Sequence, residues 1–188
     1  MSREEFDILT YGNPTLREKC EPVEDFDDPE LKQQIDRMAA MMYENDGIGL
    51  AASQVGIMKR FFICDVDWVE ADGNGKRIGK RNLRVYINPQ VVEESPEDVS
   101  FHEGCLSLPG IEGEVYRPHT ITMRYQGLDG KIHTEAMTEL LARVAQHETD
   151  HLDGVLFVDR MSFVKRAALA GKLNQLKRNN KIPAKAGV

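Results

Sequence analysis

A chain of 188 residues is long enough for one domain with a sizeable buried core, and its 41% hydrophobic and 29% charged content is ordinary for a globular protein. No apolar stretch approaches the roughly 18 to 20 residues of a bilayer-spanning helix, and the opening Met1-Ser2-Arg3-Glu4-Glu5-Phe6-Asp7 leads into no apolar run, which sets aside membrane-spanning and signal-peptide readings. Three cysteines in dissimilar settings argue against a disulfide framework and fit a reducing cytoplasm, while the net charge of −7 hides a split between an acidic body and a tail from Met161 to Val188 with seven basic and no acidic residues.

In chain order, Asp28-Pro29 starts a helix with Leu31, Ile35, Met38 and Met42 on one face, and Asn45-Asp46-Gly47 stops it. The segment Gly47-Ile48-Gly49-Leu50-Ala51-Ala52-Ser53-Gln54 follows at once. Its small residues let a backbone approach a ligand closely, and Gln54 adds a neutral amide donor suited to an oxyanion. It has neither the three glycines after a strand of a dinucleotide fold nor the Gly-Lys-Ser/Thr ending of a phosphate loop. Alone, its glycines fit a helix stop and turn better than a ligand site.

Strand-like runs follow at Arg60 to Val66, Leu83 to Asn88 and Gln90 to Glu94, with a Gly- and charge-rich surface loop from Asp67 to Asn82 between the first two. Cys64, inside Phe61-Phe62-Ile63-Cys64, and Cys20, beside Glu21-Pro22, read as structural bystanders. Cys105 stands apart, in the polar segment Glu103-Gly104-Cys105-Leu106-Ser107 with Pro109-Gly110 just beyond. Further strands are expected at Gly113 to Tyr125 and Lys131 to Met137, the two joined by a hairpin at Asp129-Gly130. His102, His119 and His133 have no partner at ligand spacing and read as surface or strand residues. Short strands joined by turns, without regularly interposed helices, predict an α+β fold: mainly antiparallel sheets packed around a central helix, with an N-terminal and a C-terminal helix.

That central helix carries the chemistry. Residues 147 to 151 read His-Glu-Thr-Asp-His, and two histidines four apart on a helix point the same way, so their imidazoles can grip one metal ion. Glu148 is turned by about 100° from His147, which suits a base that takes a proton from water better than a third ligand. Leu140 and Val144 share the helical phase of His147 and His151, so the histidines extend the stripe that faces the core. Thr138 is placed to cap the start of this helix, Glu139 lies in its first turn, and Gly154 follows its last periodic residue, Leu152. Two hydrogen-bonded core histidines without a metal remain open as the alternative. With Cys105 as third ligand, a Cys-His-His set leaves a fourth position open, the geometry of a catalytic rather than a structural site.

Together, Gly47 to Gln54, Glu103 to Ser107 and His147 to His151 resemble the three motifs of the peptide deformylase family, without a mismatch and in the family's order. The resemblance runs from about Ile8 through Arg160; the Asp67 to Asn82 segment and the tail beyond Arg160 look divergent. It implies removal of the formyl group from the N-terminal formyl-methionine of nascent polypeptides, with release of formate. It also implies that Cys105, His147 and His151 hold the metal and that Glu148 acts first as general base and then as general acid. Gln54 and the Leu106 N–H would meet the oxyanion, Gly49 would offer its backbone to the substrate, and Ile48, Leu140 and Val144 would line a methionine-sized pocket. The metal implied is Fe(II), with zinc, nickel or cobalt possible in purified protein. Glu103 and Asp150 are candidates to orient the histidines; Asp150 reads equally as a solvated helix residue, and Glu103 equally as a partner of Arg117 that braces the ligand loop.

The whole chain is expected to be one catalytic domain, residues 1–188, its last part from about 161 a basic helical tail. From Ser162 to Asn180, Val164, Ala168, Leu169, Leu173 and Leu176 form an apolar stripe opposite Lys165, Arg166, Lys172 and Lys177. The resemblance implies ribosome contact through this tail; a packing helix with a solvated basic face is equally consistent. Two other functions stay in view. A non-catalytic metal-binding homologue would keep the fold, and a metallopeptidase would use the same helix but leave Cys105 and the glycine segment unexplained.

Overall fold

The computed structural model describes residues 7–68, 73 and 79–180. Helix α1 spans Pro29–Glu44; Asp28 caps it by accepting the Glu30 N–H at 2.9 Å, and Pro29 sits in the first turn. Its buried face is Leu31, Ile35, Met38 and Met42, as the spacing predicts, and Asp46 ends the helix region in a left-handed conformation (φ 54°).

Seven strands follow among the described residues: β1 (Gly49–Ala51), β2 (Phe61–Cys64), β3 (Arg84–Glu94), β4 (Asp98–Gly104), β5 (Glu112–Pro118), β6 (Thr120–Gln126) and β7 (Ile132–Thr138). All pairings are antiparallel, in a five-stranded sheet of order β1-β2-β3-β6-β7 and a separate β4-β5 hairpin. Helix α2 (Glu139–Leu152) follows β7, and three short helices close the described chain: α3 (Phe157–Arg160), α4 (Phe163–Ala168) and α5 (Ala170–Asn179). No helix among the described residues is long and apolar enough to cross a membrane.

The five-stranded sheet is covered on both faces where it meets the helices, which explains the unbroken apolar run of β2. Phe61 and Ile63 join Leu31, Ile35 and Met38 in one cluster under α1. Phe62 and Cys64 point the other way, into a cluster with Met123, Met137, Ala142 and Ala145 under α2. The opposite side of α2 faces the β4-β5 hairpin, so the helix lies between the two sheets. A third cluster joins Val115 of β5, Phe157 of α3 and Leu173 of α5.

Several elements depart from expectation. The run Gly113 to Tyr125 is two strands in different sheets, broken at Pro118-His119, because the chain leaves the hairpin there and crosses to the large sheet. Leu83 to Asn88 and Gln90 to Glu94 are one strand, β3, which passes through a left-handed Asn88 (φ 51°) with a register shift between Ile87 and Gln90. Thr138 has N-cap backbone geometry but no capping hydrogen bond from its side chain, and Glu139 takes φ 52°. The C-terminal stripe breaks at Leu169 into α4 and α5: Leu173 is buried, whereas Val164 is 77% exposed, because α4 turns Phe163 and Val164 outward. Residues 181–188, most of the Asp67 to Asn82 loop and the opening Met1 to Phe6 lie outside the described residues. The base of that loop is closed by the Asp65 carboxylate, which accepts from Tyr43 Oη at 2.7 Å and from the N–H groups of Asp67, Trp68 and Asn82.

Candidate metal centre and active site

Helix α2 aims His147 and His151 at the end of β4, where the chain turns out of the hairpin at Cys105. One ligand atom from each of Cys105, His147 and His151 lies within 4.8 Å of the others, and Cys105 Sγ stands 3.2 Å from His151 Nε2. His147 is 8% exposed and His151 1%, while Cys105 is half-buried.

The His147 ring is oriented by Glu103, whose Oε2 meets its Nδ1 at 2.8 Å and so leaves Nε2 as the free ring nitrogen. Glu103 is buried and heavily supported. Arg117 of β5 donates Nε to Oε1 at 2.7 Å and Nη2 to Oε2 at 3.0 Å, and Arg143 of α2 donates Nη1 to Oε1 at 3.0 Å. Burial alone would raise its pKa, but His147 and Arg117 outweigh that and hold the carboxyl well below the usual range. Asp150, the other candidate to orient a histidine, instead accepts from Arg117 Nη1 at 2.7 Å and from Arg160 Nη2 at 2.6 Å, so it braces the arginine. At His147, burial disfavours a charge, yet the contacts with Cys105 and Glu103 outweigh it and raise the pKa to about 10. Burial drives His151 well below its ordinary value, which keeps its nitrogen available as a lone-pair donor.

Glu148 faces a different way. It is 4% exposed, its Oε2 has no hydrogen-bond partner among the described residues, and burial pushes its pKa up to about 7. A buried, unpartnered carboxylate oxygen is costly unless something from solution meets it. Space for Glu148 comes from Gly49: a Cβ there would overlap Glu148 Oε1 and come within 2.9 Å of both Glu148 Cδ and Val144 Cγ1. Nothing in the sequence pairs these two residues; only their meeting across the β1–α2 contact does.

Gln54 lies in the 3-10 turn Ala52–Val55 that follows β1, almost fully buried. Its Oε1 accepts the Ala51 N–H at 2.8 Å, which fixes the amide so that Nε2 points at Ser107 Oγ (3.0 Å) and Cys105 Sγ (3.3 Å). Ser53 of the same turn ties it to α2 by donating Oγ to the His151 carbonyl at 3.1 Å.

A cavity of about 690 Å³ opens onto this cluster. Gln54, Cys105, His147 and Glu148 line it, as do Leu106, Gly49, Ile48, Leu140 and Val144, while His151 sits behind. The structure thus brings the sequence-nominated ligand, base, oxyanion and pocket residues to one place, whereas Asp150 lies off it as a brace for Arg117. Reading the sequence missed Arg143, Ser53 and Ser107, and missed Phe101 and His102 of β4, which also line the cavity. Arg143 had a visible signal, one helical turn before His147 on the same face.

The donor set fits a transition metal: a cysteine sulfur and two imidazoles converge, one imidazole already oriented by a carboxylate, with an unpartnered carboxylate alongside. A model of the family described as polypeptide deformylase matches residues 6–167. The chain belongs to that family. A peptide deformylase of Novosphingobium aromaticivorans is 43% identical over 183 residues, covering 92% of this chain and 97% of its own length. One from Zymomonas mobilis is 46% identical over 166 residues, covering 88% and 91%. Among solved structures, the peptide deformylase of Plasmodium falciparum superposes with a TM-score of 0.84 at 37% identity, covering 97% of this chain and all of that one. The Thermotoga maritima enzyme gives 0.74 at 42% identity, covering 85% and 99%. Deformylases are metal-dependent hydrolases, and the converging ligand atoms lie where the three deformylase motifs meet.

Proposed function

We propose that this protein removes the formyl group from the N-terminal formyl-methionine of nascent polypeptides and releases formate. The observation that carries this reading is Glu148, a buried carboxylate with an unpartnered oxygen on the cavity wall beside the Cys105-His147-His151 cluster. Cys105, His147 and His151 would hold the metal. When bound there, the metal supplies Lewis acidity, polarising the formyl carbonyl and making water acidic enough to ionise near neutral pH.

The protein's own groups supply the rest. Glu148, with a pKa near 7, accepts the proton of the attacking water and returns it to the departing amine. As charge builds on the formyl oxygen, the Gln54 amide and the Leu106 N–H donate to it. The Gln54 amide is already aimed, because Ala51 fixes its other end. Gly49 on the edge strand β1 offers its backbone to the extended substrate. Ile48, Leu140 and Val144 form the apolar wall for the methionine side chain. The resident metal is Fe(II), with zinc, nickel or cobalt replacing it in aerobic preparations; a mixed thiolate and imidazole set accepts all four.

The chain works as a single catalytic domain in the cytoplasm, and its basic C-terminal region contacts the ribosome. Lys165, Arg166, Lys172, Lys177 and Arg178 with no acidic residue among them support that contact. Product analysis of a longer formyl-Met peptide tests the central reading: formate should appear with every internal peptide bond intact. Internal cleavage would make the protein a metallopeptidase instead.

A further inference from the structure

Arg143 grips the same carboxylate as His147, from one turn earlier on α2. Glu103 Oε1 accepts from Arg117 Nε and Arg143 Nη1, and Oε2 accepts from Arg117 Nη2 and contacts His147 Nδ1, so all four of its acceptor sites are used. The guanidinium also reaches both strands of the β4-β5 hairpin: Nη2 donates to the Val99 carbonyl at 2.6 Å and Nη1 to the Val115 carbonyl at 3.4 Å. Its Cζ lies 5.9 Å from the ring centroid of Phe101, which shares a face of β4 with Val99 and Glu103, is 51% exposed and forms part of the cavity wall. One buried side chain thus touches the carboxylate that orients a candidate ligand, the carbonyls of two strands and the aromatic wall of the cavity.

We propose that Arg143 is a positioning residue with two outputs. Through Glu103 it fixes the His147 ring with Nε2 toward the metal, and through Val99 and Phe101 it holds the β4 wall against the bound substrate. The fork of the guanidinium is what makes both possible, since its donors are fixed in one plane and a lysine offers only a point charge. The inference rests on the metal-centre reading above and adds a residue to it.

The test uses the metal-loaded full chain and two readouts: metal retention against a graded series of chelator concentrations, and KM for a short formyl-Met peptide. Wild type comes first; a wild type that holds no metal or releases no formate defeats the metal-centre reading itself. Arg143→Met should loosen the metal about tenfold, the lower end of the range for residues that support a ligand, and should raise KM more than it lowers kcat. Phe101→Leu should raise KM and leave metal retention at the wild-type level. Arg143→Lys should fall between wild type and Arg143→Met on both readouts. A merely structural role would lower the melting temperature and leave the metal affinity and KM of the folded protein unchanged. That pattern in Arg143→Met overturns the proposal; if Arg143→Met does not fold, wild-type metal retention and KM in Arg143→Lys overturn it equally.

Discussion

Gly49→Ala is the most revealing small perturbation, because one methyl group would enter space that Glu148 occupies. A Cβ at this position would overlap Glu148 Oε1 and approach Glu148 Cδ and Val144 Cγ1 to 2.9 Å. Unstrained carbon–carbon contacts lie near ~3.5 to 4.0 Å, so something must give by roughly 0.6 Å or more, set by the difference from that range. Val144 is held in the cluster under α2 and β1 is paired to β2 through Gly49↔Cys64, so the Glu148 carboxylate is the softest of the three. Overpacking of this kind costs about 1 to 3 kcal/mol of stability, or a fall in melting temperature of roughly 2 to 12 °C at this chain length. The larger effect falls on the reaction, because misplacing a catalytic group by about 1 Å costs on the order of a hundredfold. Formate release under saturating formyl-Met peptide, paired with a thermal melt, measures both. A Gly49→Ala protein with wild-type kcat and an unchanged melt would refute the idea that Gly49 makes room for the base.

Gln54→Ala should lower kcat by about 10² to 10³ if its amide meets the developing charge, with metal content unchanged; a change confined to KM would reassign it to substrate binding. Arg117→Met leaves Glu103 and Asp150 short of their main partner and should cost about 3 to 5 kcal/mol in urea unfolding; a loss under 1 kcal/mol would mean that Arg143 and Arg160 suffice. Deleting everything after Arg160 should reduce ribosome co-sedimentation at low salt. It should also destabilise the protein, since Leu173 belongs to the buried cluster of Leu156 and Phe157; unchanged co-sedimentation would remove the ribosome from the list of partners.

Much of the fold is legible in the sequence where the decisive contacts are local. The start and stop of α1 follow from Asp28-Pro29 and Asn45-Asp46-Gly47, the β6-β7 hairpin from Asp129-Gly130, and the two-sided burial of β2 from four consecutive apolar residues. Strand β4 escapes notice because one of its inward residues is Glu103, which reads as polar until Arg117 and Arg143 arrive from β5 and α2 to bury it. The break at Pro118-His119 is equally hidden, since which sheet a strand joins is decided by distant partners. The histidines and Cys105 are legible from spacing and from the three motifs. The pairing of Gly49 with Glu148, and the role of Asp150 as a brace for Arg117 rather than a partner of histidine, depend on how α2 sits between the sheets.

Formate release by anaerobically purified, Fe(II)-reconstituted protein, with Glu148→Gln and Cys105→Ala assayed beside it, weighs most directly on the proposed mechanism. Wild type should deformylate a short formyl-Met peptide. Glu148→Gln should keep the metal and lose about 10² to 10⁴ in rate, as expected for a general base, and Cys105→Ala should lose metal and activity together. A Glu148→Gln protein that releases formate at the wild-type rate would contradict the assignment of the buried carboxylate as the base.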